Sequence, residues 1–382
     1  MPSINQRFHG LDALRGFAML LGIVLHAALP YMGFGESMIW PSDNDDSRLI
    51  VIIFQFIHLW RMPVFFILSG FFASLLVSRY GWTYWWKNRF LRVLLPIIIF
   101  TFIMSATIPW IFKYGYTQKL SLFYSNDNQP HHLWFLWHLI IITLFTIFYK
   151  FYSLIFLKLL SILKLSKLII FFNSIKSLIA KILFDFQIPI TLIIILTICS
   201  LNDMGTELVG NPVATGMYFA FGYSLYKNNE LFHNIIHNWK YYFLSAILFF
   251  LIHTLIEEEY ISMDFEQSPV FWIPFIFIKI CNSILFSFSF IGLAENKFGS
   301  YNSILRFCSD GAYWMYLIHL PIVTFITFFM FQFEFFTEFK FLLAIILTTF
   351  ICLITYKFFV RSTYIGILLN GRKYPFKWNN FN

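Results

Sequence analysis

The chain has 382 residues, of which 59% are hydrophobic, 22% aromatic and only 12% charged, with a mean hydropathy of +0.71. A soluble domain carries about twice that share of charge, so the composition excludes a soluble globular protein and selects an all-α polytopic membrane protein. The net charge of +8 is spread along the chain rather than gathered into a nucleic-acid-binding patch, and the four cysteines lack the paired spacing of a disulfide framework or a zinc site.

Apolar runs long enough to cross a bilayer fall at about 12–32, 50–78, 93–112, 133–152, 186–201, 211–227, 240–256, 271–292, 311–333 and 338–360. They predict a single membrane domain over residues 1–382, a bundle of about ten transmembrane helices with both termini cytoplasmic. The basic residues agree with that orientation: 21 of the 27 Lys and Arg fall inside, and only Arg48, Lys113, Lys119 and Lys340 fall outside. Arg61 and Lys279 lie within spans. Such asymmetry is what the positive-inside rule demands. Of the 19 acids 14 lie outside, including the run "EEEY" at Glu257–Glu259.

Arg7, an apolar core and "HAA" also fit a cleavable signal peptide, but cleavage would leave nine spans and invert the charge balance.

The first span, "LDALRGFAMLLGIVLHAAL", carries Asp12, Arg15 and His26. Arg15 and His26 are eleven residues apart, which on a helix is about three turns and roughly 16 Å, with both side chains on nearly one face. Asp12, three residues before Arg15, is placed to pair with it.

In the second span, "HLWRMPVFFILSGFF" holds His58, Arg61 and Pro63. An arginine this deep is costly unless paired or hydrated. Pro63 predicts a kink just after it, while Ser69 and Gly70 fit close helix packing better than nucleophilic chemistry.

The next cluster, "WWKNRFLRVLLP", sets Arg89 and Arg92 three residues apart beside Lys87. A guanidinium pair suits phosphate oxygens, although an ordinary positive-inside anchor with interfacial Trp85 and Trp86 accounts for the same residues.

At the outer mouth of the fourth span, "HHLWFLWHLI" offers His132, Trp134, Trp137 and His138. The stretch fits an aromatic belt, or a sugar platform on which Trp faces pack against pyranose rings and His132 bonds hydroxyls.

The segment 153–184, within "KFYSLIFLKLLSILKLSKLIIFFNSIKSLIAK", interleaves lysines with Leu, Ile and Phe and has no acid before Asp185. A basic amphipathic helix on the anionic inner leaflet fits best; an eleventh crossing is disfavoured by lysines at 158, 164 and 167.

Depths counted at 1.5 Å per residue put His26 and His138 about 6 Å outward of the midplane, Arg61 about 5 Å outward and His319, in the ninth span, about 5 Å inward. Four polar side chains from four spans are thus expected in one central cavity.

The motifs "FHGLDALRGFAMLLGIVLHAAL", "QFIHLWRMPVFFILSGFF", "WWKNRFLRVLLP", "HLWFL", "YWMYLIHLPIVTF" and "LLNGRK", in this order, resemble those of the membrane-bound acyltransferase 3 family. The family's arginine–ten residues–histidine signature falls on Arg15 and His26, and its RxxR motif on Arg89 and Arg92. Within the family the chain looks most like the branch that succinylates periplasmic glucans, although Leu320 stands where that branch tends to carry a second histidine.

The resemblance implies transfer of an acyl group, from succinyl-CoA or acetyl-CoA used as co-substrate, to a glycan hydroxyl outside the bacterial cytoplasmic membrane. It implies no permanently bound cofactor or metal. The nucleotide end of coenzyme A would lie near Arg15, Arg89 and Arg92, and the pantetheine arm would reach inward to His26. His26, neutral near pH 7, would act as general base. Arg61, His58, His132, Trp134, His138 and His319 would contact the acyl group or the acceptor. O-acetylation of another surface glycan such as lipopolysaccharide is the nearest alternative. A proton-coupled transporter would also bury His and Arg, but no internal repeat of the kind such transporters show is present.

Overall fold

The computed structural model describes residues 7–33, 40–122, 131–186, 189–201, 208–262 and 269–375. Residues 187–188 of the expected fifth span, and the side chains of Glu258 and Glu259 in the acidic run, lie outside that description.

Among the described residues the chain is all-helical. The main elements are α1 (His9–Ala28), α2 (Arg48–Arg89), α3 (Leu95–Thr117), α4 (Trp134–Ile162), α5 (Ser166–Phe184), α6 (Ile190–Ser200) and α7 (Pro212–Lys227). They continue as α8 (Asn229–His237), α9 (Trp239–Ser262), α10 (Pro269–Phe298), α11 (Ser303–Met330), α12 (Thr337–Thr355) and α13 (Tyr364–Asn370). Over its described residues each hydropathy-derived span overlaps one of these helices.

Among the described residues seven helical stretches are long and apolar enough to cross a membrane, and one of them, Arg48–Thr117, runs for 70 residues and contains two expected spans. The 11-residue α6 and the 16-residue α7 are shorter than the about 20 residues that a 30 Å hydrocarbon core requires. The chain is a multi-pass membrane protein.

The long stretch is interrupted away from its proline. Helical conformation continues through Pro63, whereas Gly81 adopts φ 82° and ψ 171°. A proline removes one hydrogen bond but still permits helical φ, and a surrounding helix tolerates it. A positive φ ends helical geometry outright, and glycine accepts it without strain. A π turn over Phe90–Leu94 then leads into α3.

The chain divides into two compact units. The first is built mainly from Met62–Val93 and Phe135–Asn296. There α2 and α7 meet backbone to backbone: a Cβ on Gly70 would collide with the Phe219 carbonyl, and one on Gly222 with the Ile67 carbonyl. The close-packing role read from Gly70 therefore holds, its counterpart being Gly222.

The second unit comprises Phe8–Arg61, Leu94–Trp134 and Lys297–Asn382. Its core joins α1, the start of α2, α11 and α12 through Ile23, Ala27, Tyr31, Ile50, Val323, Phe341 and Ala344. The approach of α1 to α11 rests on Gly16, whose Cβ position lies 3.0 Å from Ser309 Cα, while Ser309 donates to the Asp12 carbonyl at 2.7 Å. Lys340 in the first turn of α12 is buried and pairs with buried Asp43 at 2.7 Å.

Candidate functional site

The second unit gathers three imidazoles, an arginine and an indole. His26, in the last turn of α1, lies 5.3 Å from His319 of α11 and 6.2 Å from His132, measured between ring centres, and stacks on Trp40 at 6.1 Å. His132 and His319 meet edge to face at 4.8 Å. His132 belongs to a short 3-10 turn, His131–Leu133, just ahead of α4.

One backbone oxygen organises the cluster. The Tyr316 carbonyl accepts from His132 Nε2 at 2.8 Å and from His319 Nδ1 at 2.8 Å, and the Met315 carbonyl lies 3.1 Å from the same Nδ1. The Tyr316 hydroxyl donates back to the His132 carbonyl at 2.7 Å. A carbonyl only accepts, so the proton sits on His132 Nε2 and on His319 Nδ1. In the neutral rings the lone pairs then fall on His132 Nδ1 and His319 Nε2. Both of these atoms are buried without a partner, as is His26 Nδ1.

Arg61 reaches the same place from α2. A Cβ on Gly22, one turn before His26, would lie 2.5 Å from Arg61 Nη1 and 3.6 Å from His319 Nε2. Arg61 Nε is buried without a partner, and no carboxylate pairs with the guanidinium among the described residues. His58, one turn earlier on α2, stacks on Phe54 at 5.2 Å. Trp134 opens α4 half-buried.

At the other end of α1 lies an ionic network. Asp12 pairs with Arg15 at 3.2 Å, as the spacing predicts, and also with Arg306 of α11 at 3.0 Å. Arg306 continues to Asp310 at 2.8 Å, and Asp310 accepts from Arg372 at 2.8 Å and from the Tyr374 hydroxyl at 2.6 Å. Arg15 keeps 38% of its side chain exposed and so retains an accessible face. His26 and Arg15 thus occupy opposite ends of one helix.

Two expectations need correction. His138, expected beside His26, belongs to the first unit, where its Nδ1 bonds the Thr215 hydroxyl at 3.0 Å and its ring lies 6.2 Å from Phe66. His132 is buried beside His26 instead of standing at the outer rim. Arg89 and Arg92 also belong to the first unit; Arg89 lies over the Trp85 ring at 5.4 Å. Arg92 sits in the π turn, whose wider winding swings it further from Arg89 than an α-helix would.

Sequence reasoning missed Trp40, Tyr316, Gly22 and Arg306. Only Arg306, a charge four residues before Asp310, left a signal in the pattern.

Chemically, the cluster offers imidazole nitrogens with free lone pairs beside an arginine that has no counter-ion among the described residues. Such a site can take a proton and hold an anion. Among the described residues no group of His, Cys, Asp and Glu has the arrangement of a metal site.

Glucans biosynthesis protein C of Escherichia coli (strain K12) is 36% identical over 147 residues, 35% of this chain and 37% of that protein. The protein of the same name from Shigella dysenteriae serotype 1 (strain Sd197) is 35% identical over the same shares. The matched stretch thus spans little more than a third of these curated relatives. No solved structure matches the chain. The Acyltransferase domain family (Acyl_transf_3) matches residues 8–357, nearly end to end, and the chain belongs to it.

Proposed function

We propose that this protein moves a succinyl group from cytoplasmic succinyl-CoA to a hydroxyl of a periplasmic or cell-envelope glucan, across the bacterial inner membrane. The observation that carries the reading is Arg61, whose buried Nε has no hydrogen-bond partner and whose guanidinium pairs with no carboxylate among the described residues, set beside His26 and His319. Unpaired charge in a low-dielectric site is expensive. A succinyl carboxylate supplies the missing partner with bidentate geometry. The name shared by the relatives, glucans biosynthesis protein C, supports a glucan acceptor.

In this reading the arm of coenzyme A runs about 16 Å along α1 from Arg15 to His26, and Arg89 and Arg92 of the first unit are proposed on their own chemistry as phosphate-binding residues. The acceptor oxygen attacks the thioester carbon, forming a C–O bond while the C–S bond breaks. His26 Nε2 takes the hydroxyl proton and returns it to the departing thiolate. His319 is the positioning residue. Its Nε2 lone pair, left by the Nδ1–H bond to Tyr316, has no partner in the structure, and neither does His26 Nδ1; with substrate bound, a His26 Nδ1–H donated to it would keep the His26 lone pair on Nε2. The ring centres lie 5.3 Å apart, and catalytic hydrogen bonds commonly tighten only when substrate is bound.

The test is release of free coenzyme A by the purified, detergent-solubilised protein supplied with glucan and either succinyl-CoA or acetyl-CoA. Wild type should favour succinyl-CoA, and Arg61→Gln should lose that preference. Equal use of both donors by wild type would leave plain acyl transfer and remove the succinyl reading.

A further inference from the structure

Away from the histidine cluster, three lysines of the first unit converge on aromatic rings. Lys150 of α4 lies 4.7 Å above Trp82, Lys227 at the end of α7 lies 4.8 Å above Tyr223, and Lys176 of α5 lies 5.2 Å above Tyr149. Trp82 and Tyr223 are themselves stacked, 5.8 Å apart and inclined by 23°. The ammonium groups of Lys150 and Lys227 therefore ride on the two rings of one stack, and Tyr149 is the chain neighbour of Lys150. Gly81 sets this up: its positive φ turns the chain just before Trp82, and no atom lies within 4 Å of where its Cβ would be, so its role is conformational.

Among the described residues no carboxylate pairs with any of the three lysines. Ring faces offset part of the cost of gathering like charges, but a shared anion offsets more. The surroundings say what kind of anion. No residue of α5 is buried, and its Ile170, Phe171 and Leu178 are exposed alongside the lysines. On α4, Phe145, Phe148, Phe151 and Tyr152 are more than half exposed. A phosphate with greasy chains attached satisfies both the ammonium cluster and the apolar faces beside it; a soluble phosphate ester satisfies only the first.

We propose that Lys150, Lys176 and Lys227, on the Trp82–Tyr223 stack and Tyr149, form a headgroup site for an anionic glycerophospholipid whose acyl chains lie along α4 and α5. By the distribution of basic residues this is the cytoplasmic leaflet. The site is independent of the acyl-transfer chemistry.

Native mass spectrometry of the full-length protein tests it, with phosphatidylglycerol or phosphatidylcholine of identical chains added to the detergent-solubilised chain. Each ammonium near an anionic headgroup changes affinity about fivefold. The double variant Lys150→Gln/Lys227→Gln should therefore hold phosphatidylglycerol more than about tenfold less well, with phosphatidylcholine unchanged. Lys176→Gln, an exposed position on α5, should give about a fivefold loss even if the double variant folds poorly. Equal retention of the two lipids by wild type, or undiminished phosphatidylglycerol binding in Lys176→Gln, would overturn the site. Displacement of phosphatidylglycerol by equimolar coenzyme A would assign the lysines to a soluble phosphate ester and overturn the lipid.

Discussion

Gly22 and Arg61 share one volume: the space that a side chain at Gly22 would fill is occupied by the Arg61 guanidinium, 2.5 Å from the Cβ position. Gly22 stands one helical turn before His26, so the guanidinium is held against the same stretch of α1 that carries the proposed base. Gly22→Ala should push the guanidinium aside while leaving α1 intact, because alanine favours helix over glycine. The expected result is a loss of succinyl-over-acetyl preference of about tenfold, matching the loss of a charge-assisted hydrogen bond, with little change in acetyl-CoA turnover. Paired kcat/KM values for the two donors measure it.

His26→Ala should lower kcat by at least about a hundredfold, the usual contribution of a positioned general base, with acyl-CoA binding retained. Isothermal titration beside the turnover assay separates the two quantities. Near-normal turnover in this variant would move the base elsewhere.

For His319 the expected signature is a split between kcat and KM. His319→Ala should reduce kcat about ten- to a hundredfold with KM for donor nearly unchanged, since the residue orients His26 rather than holding coenzyme A. His319→Gln, whose amide oxygen can accept a hydrogen bond in a similar place, should recover part of the loss. If His26→Ala is inactive and His319→Ala is fully active, the base reading stands and the positioning role falls.

Arg89 and Arg92 are proposed to hold coenzyme A phosphates. Replacing both with Ala should weaken acyl-CoA binding, and Lys should restore only part of it because the two-pronged guanidinium contact is lost. Unchanged binding isotherms in the double Ala variant would reduce the pair to an anchor, in keeping with the contact of Arg89 on Trp85.

Asp310 holds α11 to the C-terminal segment through Arg372 and Tyr374, and to α1 through Arg306 and Asp12. Asp310→Ala should cost about 3 kcal/mol, the scale for removing one member of a buried ionic group. Thermal unfolding in detergent should show a lower midpoint, and Asp310→Asn a smaller drop.

Hydropathy made the helices legible because a bilayer imposes a length and a polarity that a sequence must display. Depth along a span gave only one coordinate, and this explains where the site reading fell short. His138 matched His26 in depth, yet it bonds Thr215 in the other unit. His132 was assigned to the outer rim, while the 3-10 turn before α4 directs it into the cluster. Pro63 was expected to kink the second span, and helical conformation continues through it, while the non-helical residue, Gly81, falls between the expected second and third spans; a glycine signals nothing until its φ is known. The pairing of Asp12 with Arg15 was legible because it is local. Trp40 stacks on His26 from a segment outside the spans, and no periodicity connects the two.

The oxygen that accepts from both His132 and His319 belongs to a peptide group. Every residue type supplies that atom, so no substitution of the Tyr316 side chain deletes it. The acceptor that fixes the His132 and His319 tautomers is thereby insulated from side-chain mutation at position 316, whereas the imidazoles themselves and the proposed anion contact, Arg61, are replaceable side chains. If Arg61 selects the donor as proposed, a change at position 61 or at its neighbour 22 would alter the donor while leaving this backbone acceptor, and the tautomers it fixes, in place.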